Sequence, residues 1–183
     1  MVTIKIAASL ISVALIIGAT VANHAHPAAT PVLNGEYFKH YIDDFNRMAD
    51  QEVVNYIHDA EAWHWMKDNI PFFACPDQNF EETYYYRWWA FRKHIKQTPG
   101  GYVVTEFLKP VKHATEYNAI SCALGHHIYE GRWLHDPRYL DKYIRFWLRS
   151  GASGGLQPRF HQYSGWVSDA VYSRWLVNRD DTF

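Results

Sequence analysis

The sequence is short of cysteine, of charge imbalance and of long apolar runs, and each shortage excludes something. Two cysteines among 183 residues, Cys75 and Cys122, exclude a disulfide-built scaffold and have the spacing of neither a zinc site nor a redox pair. One bridge between them is possible in an oxidising compartment; two free thiols fit the sequence equally well. With 18 basic against 19 acidic residues, there is no positive excess for a nucleic-acid partner. Gly-x-Ser-x-Gly, phosphate-loop and dinucleotide fingerprints are missing, which removes the common nucleophilic and nucleotide-binding readings. No His-x-x-x-His pair occurs, and the adjacent His126 and His127 point different ways in regular structure, so no metal or cofactor is expected.

The one long apolar run lies at the start, from Ile6 to Ile17 after Lys5, and small residues Gly18 to Ala22 follow it. It is shorter than the roughly twenty residues of a membrane span. A basic start, a short apolar run and a Thr-Val-Ala site read as a signal peptide over 1–22, hence a secreted chain with no membrane partner after cleavage. Residues 23–35 read as a flexible mature N-terminus.

What is abundant is aromatic, 17% of the chain. The densest stretch runs from Asn79 to His94 and interleaves Tyr84, Tyr85, Tyr86, Trp88 and Trp89 with Glu81, Glu82, Arg87 and Arg92. As a helix it places Phe80, Thr83, Tyr84, Arg87, Phe91 and His94 on one broad face, and Tyr85, Trp88 and Arg92 on a neighbouring one. Tyr and Trp carry an apolar body and a polar tip, which suits a wet, ring-stacking surface as well as an aromatic core.

Periodicity predicts further helices. Phe38, Tyr41, Ile42, Phe45 and Met48 form one apolar stripe, and Val53, Val54 and Ile57 a shorter one. A helix is expected over Ala60–Met66, stopped by Asn69 and Pro71, and the aromatic helix is expected to be capped by Asp77 or Asn79 and to end near Thr98. Tyr102–Phe107 is the one convincing strand. Residues 117–131 are ambiguous. A helix capped by Asp136 carries Tyr139, Leu140, Tyr143, Ile144, Trp147 and Leu148, and a last one runs from about Ser164 to Val177. The class is therefore mainly α with one short β-hairpin or strand pair.

Three segments gather polar and aromatic groups at helix ends: Pro76 to Glu82, Gly125 to Trp133, and Arg159 to Asp169. Loops on a helical scaffold are where ligand-binding groups collect. Glu130 and Asp169, each flanked by aromatics, are candidates for general acid or base work; the plainer reading pairs Glu130 with Arg132 and Asp169 with Arg174. A sugar cleft needs stacking rings and carboxylates that accept from hydroxyls. The candidate binding set is Glu82, Tyr85, Arg87, Trp88, His126, His127, Glu130, Arg132, Trp133 and Trp166.

Trp63–Pro71, Glu81–His94, Gly125–Trp133 and Tyr172–Val177 together resemble secreted glycoside hydrolases with a mannosylglycerate-hydrolase-like domain, which are similar to family 63 glucosidases and trehalases. The resemblance covers about Glu36 to Phe183. It implies an (α/α)6 toroid whose funnel holds a carbohydrate, and an inverting acid/base mechanism. About half of the toroid's helices are present, and the stretches that carry the family's acid and base are not. Ala90 stands where related glucosidases place an aspartate after their tryptophan pair. The expectation is an incomplete toroid, the N-terminal portion of a glycoside hydrolase, inactive alone and able to self-associate through exposed apolar helix faces. A non-catalytic carbohydrate-binding or protein-interaction module is the alternative.

Overall fold

The computed structural model describes residues 32–49, 53, 55–163 and 165–180. The expected signal peptide, the segment 23–31, Val54 and Ser164 lie outside them. Among the described residues are six α-helices: α1 (Lys39–Met48), α2 (Ala62–Asn69), α3 (Gln78–His94), α4 (Leu124–Gly131), α5 (Arg138–Arg149) and α6 (Val167–Asn178). Between α3 and α4, strands β1 (Ile95–Thr98) and β2 (Gly101–Val104) pair antiparallel, with Ile95 opposite Val104 and Thr98 opposite Gly101. This is the mainly helical architecture with one strand pair that the sequence predicts, and it is consistent with part of an α/α toroid.

The longest helix begins as expected. Asp77 caps α3, its carboxylate accepting from the N–H groups of Asn79 and Phe80 at 3.0 and 3.3 Å. Its end differs. The helix stops at His94 because Ile95 leaves it to pair with Val104, burying Ile95, Val103 and Val104 against α5. Pro99 and Gly100 make the two-residue turn between the strands, and Thr98 Oγ1 braces it by accepting from Gly100 N–H and donating to Gly101 O. β2 is correspondingly shorter than the predicted strand, and Phe107 is exposed.

The buried face of α3 is set by Glu81, Tyr85, Trp88, Trp89 and Arg92. Phe80, Thr83 and Arg87, expected to share a face with Tyr84 and Phe91, are exposed. Tyr85 is fully buried, its ring stacked on Phe38 (centroids 4.8 Å apart) and Tyr41 (5.5 Å). Its hydroxyl donates to Phe73 O at 2.8 Å and accepts from Phe73 N–H at 3.0 Å. Burial of a tyrosine is tolerated here because both capacities of the oxygen are met. Trp88 and Trp89 are also buried, Trp89 donating from Nε1 to Asn46 on α1 at 2.7 Å.

Charge enters the core as well. Asp59 accepts from Arg92 at 2.6 Å and lies 3.2 Å from Lys93, and Arg92 also donates to Ile57 O. All three charged residues are buried, so the cluster fixes residues 57–59 against α3; removing one partner would leave an uncompensated buried charge. The predicted helical stripe over Val53–Ile57 does not form: the described residues 55–58 are irregular, with Ile57 buried and a 3-10 turn following at Asp59–Glu61. On α5, Tyr139, Leu140, Tyr143, Ile144 and Trp147 are buried as the spacing predicts. On α6 only Ala170 among the apolar residues is fully buried, and Arg174 occupies the core side, 2.6 Å from Asp141 of α5. Met48, Leu148, Trp166 and Leu176, expected on apolar stripes, are exposed.

Candidate functional site

α4 is the element on which the predicted site residues meet. It is short and opens from a 3-10 turn at Ser121–Ala123. It can approach α6 closely because Gly125 has no side chain: a Cβ there would stand 2.8 Å from Nε1 of Trp166. Four successive polar or aromatic residues of α4 then reach four different partners. His126 meets the Trp166 ring edge-to-face at 4.7 Å. His127 shares a hydrogen bond of 3.1 Å between Nδ1 and the Tyr143 hydroxyl on α5. The Tyr129 hydroxyl donates to Asp169 on α6. Glu130 accepts from Arg87 of α3 at 2.8 Å.

These partners correct the pairings read from the sequence. Glu130 is held by Arg87, not Arg132, and Asp169 by Tyr129, not Arg174. The Arg132 guanidinium instead lies over the rings of Tyr129 and Trp133, 4.9 and 5.0 Å from their centroids. Trp133 is half-exposed beside it. Glu82 is exposed on the outer side of α3, and its neighbour Glu81 is structural: it accepts from the Tyr41 hydroxyl and from Cys75 N–H, both at 2.9 Å. Tyr85 and Trp88 lie in the core, so neither ring is presented as a platform in this chain.

A cleft of about 280 Å³ opens between α3, α4 and the end of β2. Arg87, His127 and Glu130 line it, joined by His94, Glu106 and Tyr86, which sequence reasoning did not place there. Glu106 could have been suspected: it is the one acidic residue in the Tyr102–Phe107 stretch, just where the strand must end. Burial, with His94 and His126 adding like charge, pushes the His127 imidazole down to about 3; burial also pushes His94 below the usual histidine range. Both rings are therefore neutral hydrogen-bonding groups at neutral pH. The cleft thus offers two carboxylates, one guanidinium and two neutral imidazoles around an aromatic edge, a donor and acceptor set suited to hydroxyl-rich ligands. Among the described residues no group of three His, Cys, Asp or Glu side chains is placed to hold a metal ion, and no helix is long and apolar enough to cross a membrane. Cys75 and Cys122 are both free thiols.

A second, larger cleft of about 800 Å³ lies between α6 and the loop that precedes it, lined among others by Phe160, His161, Tyr163, Tyr172 and Trp175.

Comparison with curated proteins finds no match. Among solved structures, one titled "Sialidase" is 51% identical, with a TM-score of 0.75; the match covers 79% of this chain and 13% of that one. The match therefore spans only a small part of that longer chain. Residues 116–183, which hold α4, α5, α6 and the larger cleft, match the mannosylglycerate hydrolase MGH1-like glycoside hydrolase domain, and in that domain family lies the chain's similarity.

Proposed function

We propose that this chain forms the sugar-binding wall of a secreted glycoside hydrolase that cleaves glycosidic bonds of oligo- or polysaccharides. The toroid domain would run over 36–183 and further, behind a signal peptide at 1–22. The observation that carries the reading is the α4 cleft, where His127 and Glu130, within the segment similar to a glycoside hydrolase domain, meet Arg87, His94 and Glu106. Its share is binding rather than bond cleavage. Glu130 is tied to a guanidinium and Asp169 to a tyrosine hydroxyl, so each is engaged as a hydrogen-bond acceptor. An inverting pair needs about 6.5–9.5 Å between carboxyls, with room for a water. The complete enzyme would draw its acid and base from elsewhere in a longer chain. Rim residues His126, Arg132, Trp133 and Trp166 would extend the wall. Exposed Phe80 and Tyr86 on α3 would let the isolated chain self-associate.

The test is saturation-transfer NMR against a panel of gluco- and manno-oligosaccharides, with reducing-sugar release followed in parallel. Binding without release is expected, weakened in Glu130→Gln and Arg87→Ala. Release of sugar by the 183 residues, lost in Asp169→Asn, would overturn the division between binding and cleavage. Absence of any glycan binding would overturn the reading altogether. Sequencing the N-terminus of the exported protein checks cleavage after Ala22.

A further inference from the structure

Tyr143 stands behind the α4 cleft, fully buried, where no ligand touches it. It acts there through His127, which lines the cleft: Nδ1 of that ring lies 3.1 Å from the Tyr143 hydroxyl, with the two rings inclined by 47° and their centroids 5.8 Å apart. The helices come close enough for this because Gly131, one turn beyond His127 on the same face of α4, has no side chain. A Cβ there would stand 2.9 Å from both Leu140 of α5 and Phe91 of α3. Nδ1 is thus turned to the core, which leaves Nε2 as the nitrogen that the cleft can use.

The direction of the hydrogen bond follows from what each partner can do. A buried phenol O–H needs an acceptor, because leaving a buried donor unmet costs more than an ordinary hydrogen bond gains. Among the described residues, Nδ1 of His127 is the acceptor that this hydroxyl reaches. The phenol keeps its proton, since burial holds its pKa well above the usual tyrosine value. The buried indole N–H of Trp147, one turn along α5 and able only to donate, faces the same oxygen without closing a bond of normal geometry. With one N–H already on that side, Nδ1 is the acceptor and not a second donor. The His127 ring is neutral, so its single proton is on Nε2.

That proton matters because the cleft is rich in acceptors. As carboxylates, Glu106 and Glu130 only accept, and Arg87 already donates to Glu130 at 2.8 Å. A sugar hydroxyl both donates and accepts, so carboxylates satisfy half of it. We propose that Tyr143 is a positioning residue for the α4 cleft, locking His127 in the tautomer that donates from Nε2 to a hydroxyl oxygen of the bound sugar. The recipient rests on the carbohydrate reading above; the tautomer does not.

Long-range proton–nitrogen correlation spectra of the full chain read the tautomer directly. Wild type is expected to show a pyrrole-type Nε2 and a pyridine-type Nδ1 for His127. Tyr143→Phe keeps the ring and removes the O–H, so the His127 nitrogens should move toward the averaged shifts of two exchanging tautomers. Affinity for the gluco- and manno-oligosaccharide panel should fall about 3- to 10-fold with it, the worth of one hydrogen bond. Glu130→Gln should weaken binding and leave the His127 tautomer as in wild type. His127→Gln, whose amide N–H falls near the place of Nε2, should bind better than His127→Asn, whose amide falls near that of Nδ1. An Nδ1–H tautomer in wild type overturns the proposal without any variant, as does an unchanged tautomer in Tyr143→Phe. If Tyr143→Phe shifts the tautomer and leaves affinity unchanged, His127 is not the donor and the proposal fails while the sugar wall stands. If wild type binds none of the sugars, the carbohydrate reading fails and the proposed recipient with it, even where the tautomer is as expected.

Discussion

At the scale of single residues, the polar groups that matter are those whose surroundings fix their protonation. His127 is half-buried on α4 with its ring on Tyr143, and His94 and His126 add positive repulsion if it ionises. Its folded pKa of about 3 lies below the ordinary 6.5, so between those values the unfolded chain binds a proton that the native one does not. Stability from this group is therefore complete above the ordinary value. It is lost as pH falls through that window, with a slope of up to about 1.4 kcal/mol per pH unit. Thermal denaturation midpoints should drop between pH 6.5 and 5, while the His127 ring resonances stay those of a neutral imidazole. A His127 resonance titrating near 6.5 would show that the α4 cleft is wetter than its geometry indicates. The buried charges Asp59, Arg92 and Arg174 carry a different lesson. Reading apolar residues as core and charged ones as surface has no way to see them, because their placement depends on a partner distant in sequence.

At the scale of elements, α4 depends on the missing side chain at Gly125. A methyl group there must displace the Trp166 indole, whose Nε1 would be 2.8 Å away, and with it the entry to α6. Gly125→Ala should cost about 1–3 kcal/mol by overpacking, seen as a lower Tm together with a shift in Trp166 emission. Trp166→Ala combined with Gly125→Ala should restore most of that loss; a single substitution that melts like wild type would refute the close approach. Helices α3 and α5 were legible in the sequence because an aspartate at the N-terminus and 3.6-residue spacing agree over three turns or more, whereas for α6 the sequence located the helix but not its buried face. β1 was not. Arg92, Lys93, His94 and Ile95 continue an acceptable helical pattern with no breaker before Pro99, and only pairing with Val103 and Val104 makes Ile95 extended. α4 was ambiguous for a related reason: its two histidines break the apolar pattern, and each is satisfied by a ring on another helix. The candidate site was half legible. Arg87, His127 and Glu130 were found as polar residues among aromatics, whereas Tyr85 and Trp88 share that description and are core. Periodicity ranks faces, but it does not say which face a neighbouring helix will cover.

At the scale of the whole molecule, stability is unevenly distributed, and the uneven part is where the larger cleft lies. One apolar cluster joins α1, α2, α3, α5 and the strand pair through residues such as Ile42, Met66, Tyr85, Ile95 and Trp147. α6 adds Ala170 to it, with Val167 and Val171 at its edge, and exposes Tyr172 and Leu176. Its strongest tie to the body is polar: buried Arg174 on Asp141, whose carboxyl is pushed above the ordinary aspartate range by burial while Arg174 pulls the other way. An element with little apolar burial opens at a lower free energy than the core it rests on. Amide exchange of α6 should therefore run ahead of that of α3 and α5 under native conditions. Asp141→Asn weakens the buried ion pair between α5 and α6 and should speed α6 exchange severalfold, with α3 unchanged. Equal exchange of α3 and α6 would mean that the molecule opens as one unit.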